Sequence, residues 1–85
     1  MNKDSYIFPA VFGKTATGYS VHFPDLPGCI TVGKTLEEAH RMAREAMGLH
    51  LWSMEKDGEN ISGSTPVDQI GLDTGELVGL VEVWM

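Results

Sequence analysis

The sequence predicts a single α+β domain of two layers, in the order β-β-β-α-β, with one helix packed on one face of an antiparallel-rich sheet. Three observations predict it. Residues 5–33 hold three short runs of aromatic and β-branched residues divided by glycine and proline. Residues 35–56 carry apolar residues at helical spacing behind a helix-start signal. A last apolar run, Leu77–Met85, follows a polar stretch. With 85 residues, the chain has room for one domain covering 1–85.

Ser5–Phe12 reads as the first strand, with Tyr6, Phe8, Ala10 and Phe12 on one face and Ile7, Pro9 and Val11 on the other. Both faces are apolar, so either both are covered or one awaits a partner. Pro9 lacks an N–H and belongs at an edge or a bulge. A glycine-bounded turn, 13–18, leads to a second strand, Tyr19–Phe23. It alternates Tyr19, Val21 and Phe23 against Ser20 and His22, as a half-buried strand of a hairpin does. Two prolines and a glycine interrupt pairing before a third strand at Cys29–Val32. Thr35 and Glu38 form the T-x-x-E capping box, and Glu37 and Glu38 complement the helix dipole. At 100° per residue, Leu36, Ala39, Ala43, Ala46, Met47, His50 and Met54 share a stripe. The helix is expected to run to about Lys56 and stop at Asp57-Gly58. Residues 59–75 read as a loop, and Leu77–Met85 as the final strand.

Charge narrows the function. Six Lys plus Arg face twelve Asp plus Glu, a net charge of −6, and the cations are scattered. Nucleic-acid modules gather cations to neutralise phosphates, so direct nucleic-acid binding is not expected and a basic protein partner suits this chain better. No apolar run has the roughly 18–20 residues of a membrane span. One cysteine, Cys29, forms no intrachain disulfide, and the first residues make a poor signal peptide. A reducing, cytoplasmic setting is expected.

Catalytic patterns are thin. His22, His40, His50 and Cys29 show no metal-ligand spacing, and His50 reads as a core histidine. Cys29 has no basic neighbour to lower its pKa and reads as structural. No phosphate loop is present, and no metal or cofactor is expected. Two-metal nuclease chemistry needs converging carboxylates, whereas the strands supply only Glu82. Trp52 projects with Glu45 and Arg41 away from the core stripe, an arrangement common at interfaces; a bend near Gly48 would instead turn it inward.

Tyr6-x-x-Pro9-Ala10-Val11-Phe12, Gly18-Tyr19-Ser20-Val21, Phe23-Pro24-Asp25-Leu26-Pro27-Gly28-Cys29 and Gly33-Lys34-Thr35-Leu36-Glu37-Glu38-Ala39 together resemble the HicB family of antitoxins over almost the whole chain. The resemblance implies a partial RNase H-like fold without a nuclease active site. It implies binding to HicA, a small basic mRNA-cleaving toxin, which HicB covers so that RNA is kept away. It also implies self-association, as a dimer or tetramer. HicB antitoxins typically add a C-terminal DNA-binding module, though short HicB-like proteins without one also exist; these 85 residues match only the toxin-binding half, whether the other half was removed or never present, and promoter binding is not expected of this chain.

On this reading the partner surface is sought at the Asp25-Leu26-Pro27-Gly28 loop, at Glu37 and Glu45, and at Trp52. Two alternatives stand beside it. One is a residual metal-dependent nuclease using Asp4, Asp25 or Glu82. The other is a stand-alone oligomer without a toxin, resting on the two-sided apolar first strand.

Overall fold

The structure, a computed structural model, describes residues 5–61 and 63–85. Its elements are β1 (Ser5–Lys14), β2 (Tyr19–His22), β3 (Ile30–Gly33), α1 (Leu36–Lys56), a short 3-10 turn (Val67–Gln69) and β4 (Glu76–Trp84). The strands form one antiparallel sheet in the order β3-β2-β1-β4. This is the α+β, two-layer arrangement expected, with the single helix covering one sheet face. No described helix is long and apolar enough to cross a membrane.

The hairpin follows from the alternation read above. Phe12 pairs with Val21 and Val11 with His22, so Tyr6, Phe8, Ala10, Phe12, Val21 and Phe23 all enter the core beneath α1. After the helix the chain returns beside β1. Their ladder runs unbroken from Ser5↔Trp84 to Gly13↔Glu76, which brings Val81 and Val83 to the same core. β1 is therefore internal, yet Pro9 is accommodated, because β2 pairs only with residues 11–14. Along Ser5–Ala10 the β2 side of β1 is open and asks for no proline N–H.

The helix starts as its sequence dictates, with one change. Thr35 Oγ1 accepts from the Glu38 N–H at 3.0 Å, but Glu38 Oε2 accepts from the Lys34 N–H at 3.2 Å, one residue earlier than a capping box would have it. It ends in a Schellman motif. Glu59 N–H donates to Met54 O (2.9 Å) and Gly58 N–H to Glu55 O (3.1 Å), with Gly58 at φ +72° where a side chain would be strained.

The buried helix residues are Ala39, Ala43, Met47 and Leu51. Leu51, outside the expected stripe, is in the core, and Leu36, inside it, is exposed. A strict i, i+4 run drifts about 40° per step around a helix of 3.6 residues per turn. Here the contact line follows that drift, as befits a helix lying on a twisted sheet. His50 is half-buried beside this line. Instead, His40 meets the core, stacked on Phe12 with ring centroids 5.8 Å apart.

Candidate partner-binding surface

The segment between β2 and β3 is built as a closed turn. Leu26 N–H donates to Phe23 O at 3.0 Å, Cys29 N–H to Leu26 O at 3.0 Å, and Phe23 N–H to Cys29 O at 3.3 Å. Gly28 stands at φ +88°, a conformation that favours glycine. Leu26, 1% exposed, plugs into the core. Asp25 is tied to the later loop, accepting from the Thr65 N–H at 2.9 Å and from the Thr65 hydroxyl at 2.5 Å. Of the four loop residues singled out by sequence, Leu26 and Asp25 thus shape and anchor the turn, while Pro27 and Gly28 are presented at its surface.

Glu37, Glu45 and Trp52 are all exposed on α1. Trp52 points outward and is 53% exposed, so the helix does not turn it into the core at Gly48. The Lys56 ammonium lies 5.0 Å from its ring centroid, within cation–π reach. Sequence reasoning missed Leu49, which is exposed three residues before Trp52 on the same face. Its signal was available in the spacing Arg41, Glu45, Leu49, Trp52, Lys56, a second stripe opposite the buried one. Glu37 stands one turn before Arg41 at the N-terminal end of that stripe, where it lines a shallow groove with Leu36, His40, Arg41 and Arg44. The helix therefore offers two adjoining features, an apolar Leu49–Trp52 patch rimmed by both signs of charge and a groove of mixed charge near its N-terminus.

Of the carboxylates considered for nuclease chemistry, the two that are described, Asp25 and Glu82, do not meet. Asp4 lies outside the described residues. Asp25 belongs to the β2–β3 turn and Glu82 to β4, at opposite sides of the sheet. Among the described residues no group of three or more His, Cys, Asp or Glu could hold a metal ion. Cys29 is a buried free thiol whose pKa is raised by burial, the opposite of an activated nucleophile.

The outer sheet face carries a feature that sequence gave only as a question. Ile7, Leu80 and Trp84 are exposed on it, as are Ile30 and Val32 at the β3 side. Of the two apolar faces of β1, then, one is covered by α1, and the other is partly open.

Residues 8–84 match the profile of the HicB_like antitoxin of bacterial toxin-antitoxin systems. The chain belongs to this antitoxin family. It is 40% identical over 63 residues to an uncharacterized 14.9 kDa protein of Haemophilus phage HP1, a match covering 74% of this chain. The chain spans about half, 47%, of that phage protein's length. Its fold superposes on a chain of the HicA3 and HicB3 toxin-antitoxin complex with TM-score 0.76 and 28% identity, covering 91% of this chain and 96% of that one. It also matches the N-terminal domain of the Burkholderia pseudomallei antitoxin HicB, with TM-score 0.74, 28% identity, and coverage of 88% and 94%. The one-helix, four-stranded architecture is thus that of HicB-like antitoxins.

Proposed function

We propose that this HicB-like chain is an antitoxin domain that binds a small basic mRNA-cleaving toxin of the HicA type and inhibits it by occlusion. The observation that carries this reading is the family membership over residues 8–84, together with the likeness to a chain of a HicA3–HicB3 complex over nearly the full length. The net charge of −6 supports it, because an acidic inhibitor approaches a basic partner faster and in better orientation. On this reading the domain is not an enzyme. Occlusion needs a rigid complementary surface and no catalytic group.

The finer assignments belong to the same proposal. Trp52 supplies an aromatic anchor of the kind that dominates binding energy, with Leu49 beside it. Glu37 and Glu45 face the partner's cations, and Pro27 and Gly28 extend the contact, held in place by Asp25 and Leu26. A stable complex of this type buries about 1,200–2,000 Å². The domain works in the cytoplasm, where mRNA is cleaved, and its scaffold is a partial RNase H-like fold used for binding alone. The test is co-expression with a small basic toxin of the HicA type. Co-purification and rescue of growth from the toxin are expected; no complex at micromolar concentration would refute the reading.

A further inference from the structure

Resting on the antitoxin reading, we propose that the groove on α1 takes up a carboxylate side chain of the basic toxin, and that this contact selects the toxin and sets its orientation. The groove runs between two rows of helix side chains. Leu36 and His40 form one row, Glu37 and Arg41 the other, each pair one turn apart, and Arg44 closes the end nearer the Leu49–Trp52 patch. His40 is seated on the core by its stack on Phe12, whose ring is parallel within 2°, so this wall is held in place. Leu36, 42% exposed, supplies apolar contact beside it.

Two of the six Lys and Arg residues of the chain meet in this groove, three positions apart on one helix face. Both are exposed. Among the described residues neither guanidinium enters a hydrogen bond or an ion pair, although Glu37 and Glu45 each stand one turn from Arg41. A helix that only had to attract a basic protein would be better without them, because like charges facing across an interface weaken binding. Unpaired arginines on that helix are explained if the toxin answers them. A basic surface with no carboxylate at this point is rejected, and one that has it is admitted, which is selection by repulsion as well as by attraction. Arginine suits the task, since its planar fork grips a carboxylate through two parallel hydrogen bonds. Glu37 stands at the other end and answers a cation, so a segment bearing both charges fits in one direction only.

The net charge decides between a carboxylate and the phosphates of RNA. A strand of RNA brings a negative charge with every nucleotide and is repelled by a chain of −6. A carboxylate borne on a basic protein arrives with that protein's cations, which the same −6 attracts.

The test is surface plasmon resonance of the 85-residue chain against the HicA-type toxin that co-purifies with it and against a HicA-type toxin of an unrelated pair. Arg44→Gln and Gln69→Glu each make the chain one charge more acidic, the second in the 3-10 turn, which does not line the groove. Attraction by net charge alone has both bind the toxin as well as wild type or better. The groove has them differ. Arg44→Gln is expected to bind its own toxin about tenfold more weakly and the unrelated toxin more tightly, with unchanged circular dichroism, whereas Gln69→Glu keeps wild-type affinity or gains. Among toxin variants with each Asp or Glu replaced by lysine in turn, one is expected to bind Arg44→Glu better than it binds wild type. Wild-type affinity in Arg44→Gln, an equal loss for both toxins, no compensating lysine variant, or a labelled single-stranded RNA held by wild type and lost by Arg44→Gln would each overturn the proposal while leaving toxin binding standing. A wild-type chain that binds no HicA-type toxin overturns the antitoxin reading itself, and this inference with it. Should Arg44→Gln fail to fold, Arg41→Gln decides by the same outcomes.

Discussion

Gly33→Ala tests whether α1 is seated on the sheet by direct backbone contact. Gly33 ends β3 and is buried. A Cβ placed there would stand 2.4 Å from Ala39 N, 2.5 Å from Ala39 Cα and 2.9 Å from Glu38 C. Non-bonded carbon atoms prefer about 3.5–4.0 Å, so the helix must withdraw by roughly an ångström or the strand end must open. These are backbone atoms and cannot turn aside. Withdrawal also loosens Ala43 and Met47, the next helix residues in the core. Overpacking of this kind costs about 1–3 kcal/mol, and with backbone on both sides we place it near ~3. For a domain of this size that lowers the melting temperature by roughly 12–24 °C. The assay is urea or thermal unfolding beside Gly71→Ala, where an added Cβ meets nothing within 4 Å. A loss below about 1 kcal/mol for Gly33→Ala would refute the seating argument.

Gly48→Ala is expected to stabilise the domain by up to about 1 kcal/mol in the same assay, since alanine is the better helix former and the new Cβ meets only Val83 Cγ1 at 3.4 Å. Leu26→Ala is expected to cost roughly 2–5 kcal/mol of unfolding free energy, because a fully buried leucine is removed from the core. Burial raises the Cys29 pKa above its ordinary 9.0, so the unfolded thiol ionises first and the contribution to stability, complete below that pH, is lost as pH rises through the folded value; Cys29→Ala is expected to show a shallower alkaline loss in pH-dependent unfolding. Glu37→Lys with Glu45→Lys is expected to slow association with the toxin and flatten its salt dependence, whereas Trp52→Ala is expected to raise the dissociation rate tenfold or more, both read by surface plasmon resonance.

The fold was largely legible because its local signals agree. The alternation of Tyr19–Phe23, the Thr35 cap and the Asp57-Gly58 stop each name one structure, and each is found. What was not legible depends on distant residues. Leu51 is buried and Leu36 exposed because the sheet beneath decides where the contact line runs, and a helical wheel contains no sheet. The place of Pro9 depended on how far β2 extends beside β1, a property of the pairing. The Asp25–Thr65 tie joins residues 40 apart in a stretch with no pattern. At the candidate surface, Trp52 was visible because a large aromatic is conspicuous among charges. Leu49 was not, because a single leucine in a helix is unremarkable until its exposure is known.

The charge of −6 does not form one acidic face. Along the outer helix stripe Glu45 is accompanied by Arg41 and Lys56, and the remaining acids are dispersed along the chain over Asp4, Asp25, the helix ends, the 59–76 stretch and Glu82. A field assembled from scattered charges acts at a distance and is screened within about 8 Å at physiological salt. It accelerates encounter, but holds little once contact is made. On the proposed reading, retention therefore falls to the apolar Leu49–Trp52 patch. An inhibitor that works by occlusion needs both, fast arrival from the net charge and a long residence from the patch. On the proposed reading, raising salt slows capture of a basic partner and leaves its dissociation rate nearly unchanged. A salt titration of the two rate constants, read by surface plasmon resonance, separates the two contributions without any substitution.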